Sequence, residues 1–293
     1  MSENTMNNLK IGVDVGGTKI EAVLVDAMGT VLGSARIPAR HGNDAVIEDI
    51  VAVAHQAAGE RFDEVRAIGV GTPGTVDSAS GHVGNIVNLD VVSLDMGPLI
   101  SQRSGVPAHV ENDVNAAAVG AATVLGGADG MAGTIAFLNF GTGLAAGIVE
   151  NGVLMHGYSG AAGEIGHISI DLDGPLCPCG KRGCLETMIS GTALKKQLSA
   201  ADVEQHQNIL ARAGRYLGQA LSMPVGLLDM ADVCVYGQPN IINETFIDAA
   251  QQYLDAATSS SFHKHTVIRR CECGPDITVQ GEAIAVVFQH LAK

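Results

Sequence analysis

The stretch from Gly163 to Glu186, GEIGHISIDLDGPLCPCGKRGCLE, concentrates side chains that bind metals and polar ligands. It offers one imidazole nitrogen and three thiol sulfurs, the ligand set of a closed tetrahedral zinc site. The glycines of the Cys-x-Cys-Gly-x-x-Gly-Cys spacing let the chain turn tightly enough for nearby thiolates to converge on one ion. The sequence therefore predicts a structural metal clip formed by His167, Cys177, Cys179 and Cys184.

The six cysteines could instead form three disulfide bonds. Disulfides are rare in cytosolic proteins, where reduced thiols more often bind metals or take part in catalysis. The sequence therefore favours the metal clip over a disulfide framework. Cys271 and Cys273 have the spacing of half a metal knuckle, but no second half is visible, and we interpret them as two unrelated thiols.

A glycine-rich loop with a flanking acid and a lysine lies near the start of the chain, in the run DVGGTK. Glycines let backbone N–H groups approach phosphate oxygens closely, and Thr18 and Lys19 would add a hydroxyl donor and a positive charge. Asp14 ends the preceding apolar run and could position Mg²⁺ through water. Gly16, Gly17 and their neighbours are therefore a candidate phosphate loop, although a tight hairpin without a ligand would use the same residues.

A second loop of this kind, Gly141-Thr142-Gly143, follows another apolar run. Residues 14–32 and 139–155 both predict the order strand, Gly/Thr loop, strand, turn, strand, which indicates a duplicated unit. Two such loops could hold the terminal phosphates of a nucleotide between two facing domains. Neither is a Walker A loop, because the Gly-x-x-x-x-Gly-Lys-Ser/Thr spacing is absent.

Asp113 follows Glu111 and Asn112 at the predicted junction of a strand and a helix. The helix macrodipole stabilises an anion there by a few tenths to about 1 kcal/mol, so the carboxylate is expected to be ionised at pH 7. It could then accept a proton from a hydroxyl, and the Asn112 amide could bind sugar hydroxyls as donor and acceptor. The alternative is an ordinary N-cap aspartate, the commonest use of Asp at such a place.

Composition limits the possible partners. With 46% hydrophobic and 16% charged residues, the 293-residue chain has the composition of a globular protein long enough for two domains. A formal net charge of −14 argues against nucleic acid and anionic membranes, because an acidic protein is repelled by polyanions. No signal-peptide pattern or apolar run of transmembrane length is visible, so the cytoplasm is the expected compartment.

Periodicity and turn residues predict an α/β protein. Residues 77–97 are weakly patterned and predicted to be rich in loops, and the polar segment 258–276 is predicted to be irregular. Strands are predicted at 9–15, 20–26, 31–37, 65–71, 107–110, 134–139, 144–149, 153–155 and 233–236, and helices at 44–62, 98–104, 114–125, 191–198, 203–228, 243–257 and 279–291.

Six motifs, in order, resemble those of the ROK family (repressor, open reading frame, kinase), whose enzymes are sugar kinases. They are DVGGTK, GVGTPGTVD, ENDVNAAA, FGTGLAAGIV, GEIGH and CPCGKRGCLE, within a match that runs from residue 9 to about 192. The last two together are close to a family signature. The resemblance implies a two-domain actin/hexokinase-like (ribonuclease H-like) α/β fold with a cleft between duplicated domains. The domains expected are 1–115, completed by 279–293, and 116–278 with the zinc-binding insertion.

The same resemblance implies transfer of the γ-phosphoryl group of ATP, with Mg²⁺, to a hydroxyl, usually O6, of glucose or an N-acylhexosamine. Asp113 would be the general base, structural zinc would occupy the clip, and the enzyme would be a homodimer. One ring nitrogen of His167 would bind zinc and the other a sugar hydroxyl. The implied sugar-binding residues are Asn88, Asn112, Asp113, Glu164, His167 and Glu186, and the phosphate loops are residues 14–19 and 141–143.

The chain departs from the family pattern in the second half of its nucleotide motifs. Ala145 and Ala146 stand where glycine is usual, and residues 236–239 and 274–277 replace glycine-rich segments. GTP or polyphosphate therefore remain open as donors. The family also includes sugar-responsive transcription regulators, whose helix-turn-helix precedes the first glycine loop, but here that loop begins almost at once and the net charge opposes DNA binding. A sugar-binding protein without turnover is the third interpretation.

Overall fold

The computed structural model describes residues 9–126, 133–258, 261 and 264–271. The described chain forms two compact units, which meet in sequence between Val124 and Leu125. The boundary predicted after residue 115 lies earlier than this division, inside a helix. The predicted helix at 279–291, the segment 274–277 and Cys273 lie outside the described residues.

A mixed five-stranded sheet forms the centre of the first unit. Its antiparallel meander leads into two parallel strands, in the order β3-β2-β1-β4-β8. Alternate residues of the first strand, from Leu9 to Val15, are buried in the hydrophobic core, as the two-residue period of a strand requires. The strands are β1 (Leu9–Val15), β2 (Lys19–Val25), β3 (Val31–Pro38), β4 (Val65–Thr72) and β8 (Ala108–Asn112).

Three helices accompany this sheet: α1 (Asn43–Ala58), α2 (Met96–Ser104) and α3 (Asp113–Gly126). The apolar spacing that predicts α1 places Ile47, Ile50 and Val53 in the core. α1 is shorter than predicted, since residues 59–64 form a 3₁₀ turn after Gly59 takes a left-handed φ of 55°. α3 begins directly at the end of β8, so the β8–α3 junction carries Asn112 and Asp113.

Residues 77–97, predicted to be rich in loops, also form strands. They contain most of a three-stranded antiparallel sheet of β5 (Thr75–Asp77), β6 (His82–Ile86) and β7 (Val91–Leu94). The strands are short, and the left-handed φ values of Asn85 and Asp90 interrupt their alternation. Their buried apolar side chains nevertheless join the core of the first unit.

The second unit repeats the strand order of the first. Its sheet runs β11-β10-β9-β12-β13, again with an antiparallel meander followed by two parallel strands. The repeat predicted from residues 14–32 and 139–155 is therefore present in both sheets. The strand β13 lies in the segment 258–276, so the prediction of irregular structure is wrong there. The strands are β9 (Thr134–Phe140), β10 (Leu144–Glu150), β11 (Val153–Leu154), β12 (Met230–Gly237) and β13 (Val267–Arg270).

The helices of the second unit are α4 (Leu185–Ile189), α5 (Gly191–Ser199), α6 (Val203–Leu228) and α7 (Glu244–Ala257). The buried face of α6 packs closely on α7, because glycine at 214 and 218 removes the side chains between them. A Cβ atom at Gly214 would lie 2.2 Å from the Phe246 carbonyl oxygen. Neither the 26-residue α6 nor any other described helix is apolar enough over sufficient length to cross a lipid bilayer.

Replacing Gly218 by alanine should destabilise the second unit. The new Cβ would lie 2.5 Å from the carbonyl oxygen of Ala250 and 2.8 Å from the Cβ of Tyr253, so the two helices must separate. Overpacking of this kind costs about 1–3 kcal/mol. Gly226 in the same helix has no such neighbour, and Gly226→Ala should stabilise the protein by about 0.5–1 kcal/mol. Urea unfolding compares the two, and equal effects would contradict the packing argument.

Candidate active site and metal centre

The first glycine loop turns the chain between β1 and β2. The Gly16 N–H donates to the Lys19 carbonyl at 2.9 Å and closes the turn, whereas the N–H groups of Gly17 and Thr18 make no hydrogen bond within the described residues. A Cβ atom at Gly17 would lie 2.8 Å from the Cβ of Asn88. The loop thus offers two backbone donors to an anion, and Asn88 lies against it.

Lys19, the positive charge predicted to meet a phosphate, is paired within its own sheet. Its ammonium group contacts the carboxylate of Glu21, which also accepts a hydrogen bond from Arg36. About half of the Lys19 side chain remains exposed. Lys19 therefore lies beside the loop, but its ion pair with Glu21 neutralises part of its charge.

Asn112, and not Asp113, is the N-cap residue of α3. The Oδ1 atom of Asn112 accepts the N–H groups of Val114 at 3.0 Å and Asn115 at 3.3 Å. Asp113 accepts the adjacent Val114 N–H at 2.9 Å. Because the neighbouring amide satisfies the start of the helix, capping does not account for the carboxylate of Asp113.

Burial dominates the electrostatics of the two aspartates at this end of the sheet. It raises the pKa of Asp113 above its ordinary value, and the Val114 N–H opposes the rise. Burial also raises the pKa of Asp14 to about 6, with further contributions from the charges of Asp113 and Glu21. The helix macrodipole stabilises the Asp113 anion, but desolvation outweighs this effect. A more basic carboxylate is better suited to accept a proton near neutral pH.

The raised pKa of Asp14 predicts a stability that falls as pH rises. Between about pH 4, where an unfolded Asp titrates, and about pH 6, the folded protein holds a proton that the unfolded chain has lost. Asp14→Asn should therefore match the wild type below pH 4 and be more stable by about 1–3 kcal/mol above pH 6. Urea unfolding from pH 4 to 8 in the presence of a chelator measures the difference.

Asp26 provides the control of opposite sign for that titration. Backbone N–H groups, the Thr30 N–H foremost, lower the pKa of its carboxyl. Asp26→Asn should therefore lose stability relative to the wild type at neutral pH and regain it in acid. A pH-independent difference for Asp14→Asn would contradict the raised pKa.

Glu111 is a functional candidate that the sequence argument did not single out. Its side chain is buried and accepts hydrogen bonds from the Ser78 hydroxyl at 2.9 Å, the Asn112 N–H at 2.8 Å and the Asn115 amide at 3.0 Å. These contacts fix the backbone that carries Asn112 and Asp113. Ser78 lies 33 residues before Glu111, and no spacing in the sequence connects them.

The second glycine loop, residues 141–143, connects β9 and β10. Its three N–H groups make no hydrogen bond in the described part of the chain, and in this they resemble those of Gly17 and Thr18 in the first loop. The next residue, Leu144, donates its N–H to Glu186 Oε2 at 2.9 Å. Gly191, the first residue of α5, lies so close that a Cβ there would be 2.6 Å from the Gly141 carbonyl oxygen. Glu186 and Gly191 therefore pack against the loop, whereas the N–H groups of the loop itself remain available to a ligand.

A cavity of about 520 Å³ lies beside this loop within the second unit. The loop, the first turn of α5 and residues 236–239 line it, so the segment that departs from the family pattern contributes to its wall. Lys195 is the charged residue among the lining side chains. In a chain of net charge −14, a cavity whose described lining includes an ammonium group and no carboxylate favours an anionic ligand.

The four residues of the predicted metal clip converge in the second unit. One ligand atom from each lies within 4.8 Å of the others. The Sγ atoms of Cys179 and Cys184 are 3.6 Å apart, and Cys177 Sγ is 3.7 Å from His167 Nδ1. Tetrahedral zinc with Zn–S bonds of about 2.3 Å separates its ligand atoms by about 3.5–3.8 Å. The side chains therefore fit such an ion.

Tight turns bring these ligands together. Gly180 and Gly183 have left-handed φ values of 90° and 62°, and a Cβ atom at Gly183 would overlap the Asp171 carbonyl oxygen at 1.6 Å. His167 ends a 3₁₀ turn that begins after Glu164, and its Nδ1 atom faces the thiols. Its other ring nitrogen, Nε2, is the one that the predicted double use of His167 would give to a sugar hydroxyl.

Comparison with known proteins agrees with this geometry. The ROK family model matches residues 10–237. The chain belongs to the ROK family. It is 38% identical over 207 residues to a glucokinase of Streptomyces coelicolor, covering 69% of this chain and 64% of that protein. It is 33% identical over 204 residues to an N-acetylmannosamine kinase of Vibrio cholerae, covering 68% of each. The chain thus spans less than two thirds of the length of the Streptomyces relative.

Solved structures of ROK proteins share the fold. A ROK hexokinase from Thermus thermophilus superposes with a TM-score of 0.84 at 28% identity, covering 97% of this chain and all of the other. A glucokinase from Streptomyces griseus in complex with glucose and AMPPNP gives 0.75 at 28% identity, covering 95% and 99%. This ROK protein therefore has the two-domain actin/hexokinase-like α/β fold expected from its motifs.

The predicted site residues of this ROK protein fall into two groups, one in each unit. Each unit has a sheet of the same strand order, and each sheet carries one of the two glycine loops. Sequence reasoning missed Glu111, Lys195 and the bond between Glu186 and Leu144. The first unit holds Asp14, Gly16, Gly17, Thr18, Lys19, Asn88, Asn112 and Asp113, and the second holds Gly141, Thr142, Gly143, Glu164, His167, Glu186, Cys177, Cys179 and Cys184.

Proposed function

We propose that this ROK protein is an ATP-dependent hexose kinase that phosphorylates glucose or an N-acylhexosamine, at O6. The observation that carries the proposal is the partly buried carboxylate of Asp113 at the start of α3. Its pKa is raised, and Asn112 rather than Asp113 caps the helix. Similarity to a glucokinase and an N-acetylmannosamine kinase supports the class of acceptor. The AMPPNP bound to the Streptomyces griseus glucokinase supports ATP as the donor.

In this proposal Asp113 accepts the proton of the sugar hydroxyl as the hydroxyl oxygen attacks the γ-phosphorus and the bond to the bridging oxygen of ADP breaks. Backbone N–H groups of the two glycine loops stabilise the charge on the phosphates. Mg²⁺, when bound, would neutralise part of that charge, and Asp14 would hold it through water. Asn112 and Asn88 in the first unit, and the side chains at 164, 167 and 186 in the second, would bind the sugar.

The metal clip has a structural function in this proposal. Zinc suits its one nitrogen and three sulfurs, and four protein ligands leave no open position for catalysis. The clip would therefore brace Glu164, His167 and Glu186, which lie within or beside it. A homodimer, which the family resemblance implies, and a location in the cytoplasm complete the proposal.

A panel of hexoses and N-acylhexosamines, each offered with ATP, GTP and polyphosphate, tests the function directly. Phosphorylation of at least one sugar by ATP is the expected result, and product analysis by NMR identifies the hydroxyl. Sugar binding in calorimetry without transfer from any donor would instead favour a binding protein, and specific DNA binding in a gel-shift experiment would favour a regulator.

A further inference from the structure

Glu186 contacts the second glycine loop in addition to lying beside the metal clip. Its Oε2 atom accepts the Leu144 N–H at 2.9 Å, directly after residues 141–143. We propose that Glu186 is a positioning residue for the phosphate donor, because it fixes the loop that would bind the donor phosphates. The inference rests on the proposed kinase function for the identity of the donor, but the contact itself does not.

The close approach of Glu186 to Gly143 supports a defined loop position. A Cβ atom at Gly143 would lie 2.4 Å from Glu186 Oε2, so the carboxylate occupies the space where any other residue would place its side chain. On the other side, a Cβ at Gly166 would lie 2.1 Å from the Leu144 carbonyl oxygen and 3.2 Å from the Cβ of Glu186. Two glycines therefore allow three backbone segments to meet around one carboxylate.

The backbone around Glu186 is itself well anchored. Leu185 is fully buried, and its N–H donates to the Ile168 carbonyl at 2.9 Å. The Ser190 N–H donates to the Glu186 carbonyl at 3.1 Å, and Cys184 of the clip immediately precedes the short helix α4. Because this backbone is already ordered, the hydrogen bond that Glu186 accepts can restrain the loop without first ordering the segment that carries this residue.

The geometry divides the side chain of Glu186 between two tasks. Oε2 accepts a charge-assisted hydrogen bond from the loop, which leaves Oε1 for the sugar hydroxyl that the family resemblance assigns to this residue. Loss of the Glu186 side chain should therefore weaken the binding of both substrates. Glu164 makes no such bond to the loop, so loss of its side chain should weaken the binding of sugar alone. This difference separates positioning of the donor from binding of the acceptor.

Three variants test the proposal by steady-state kinetics with each substrate varied in turn. Glu186→Ala should raise the KM for ATP at least about 10-fold, the lower end of the effect of losing one charge-assisted hydrogen bond, and should also raise the KM for sugar. Glu186→Gln retains an oxygen that can accept the Leu144 N–H and should leave the KM for ATP within about twofold of wild type. Glu164→Ala should raise the KM for sugar only.

Amide hydrogen exchange of Leu144, followed by NMR, provides a measurement that needs no activity. The amide should exchange faster in Glu186→Ala than in wild type and should keep its protection in Glu186→Gln and Glu164→Ala. Unchanged protection in Glu186→Ala, or an effect of that variant on the sugar KM alone, would overturn the proposal. If the wild type transfers phosphate to no sugar, the kinase function fails, and the exchange rates still decide whether Glu186 fixes the loop.

Discussion

Asp113→Asn should lower kcat by about 10²–10⁴-fold, the usual contribution of a positioned general base. Asparagine has nearly the same shape and can still accept the Val114 N–H, so the start of α3 should be preserved. Because burial raises the pKa of the wild-type carboxyl, its replacement should not destabilise the protein at pH 7 and should raise the melting temperature. Kinetics with saturating sugar and donor, together with thermal unfolding, measure both effects.

Asp95 supplies a matched control for this prediction. It also precedes a helix, α2, in the same unit, but its side chain is largely exposed and pairs with His82. Asp95→Asn should therefore leave kcat unchanged. If Asp113→Asn were folded and kept kcat within a few-fold of wild type, the assignment of Asp113 as the base would be wrong.

The regular parts of the fold could be predicted because their signals are local. Apolar runs punctuated by Gly-Thr loops marked β1–β2 and β9–β10, and the 3.6-residue spacing marked α1, α6 and α7. The small sheet β5–β7 was missed because its strands have three to five residues and carry αL residues within or between them. β13 was missed because it depends on pairing with β12, which no local pattern encodes.

Side-chain roles at the site were less accessible to sequence reasoning, for a similar reason. The residue types at 112 and 113 both suit an N-cap, and only the geometry shows that Asn112 takes this position. The contact of Glu186 with Leu144 joins residues 42 positions apart. The convergence of His167, Cys177, Cys179 and Cys184, in contrast, agrees with the prediction. It was accessible because the glycine turns and three of the four residues lie within eight consecutive positions.

The metal clip gives the second large effect that we expect. Cys184→Ser should remove a buried ligand, abolish stoichiometric zinc and lower the stability of the second unit by about 3–5 kcal/mol. The loss arises because Cys184 immediately precedes α4, so residues 164–186 would lose the bond that fixes both the His167 turn and Glu186. Metal analysis, thermal unfolding and amide exchange of this segment measure the effect without reference to activity.

Cys234→Ser is the matched control, since Cys234 is equally buried in the same unit but lies outside the cluster. Cys234→Ser also buries a hydroxyl group in place of a thiol. Any further loss of stability in Cys184→Ser is therefore attributed to the loss of the metal. If the clip braces the site, the apo protein should show raised KM values for both sugar and donor, because Glu164 and His167 bind the former and Glu186 holds the loop for the latter. Normal KM values in zinc-free protein would contradict this bracing. They would show that the hydrogen bonds around Glu186 keep Glu164, His167 and Glu186 in position without the ion.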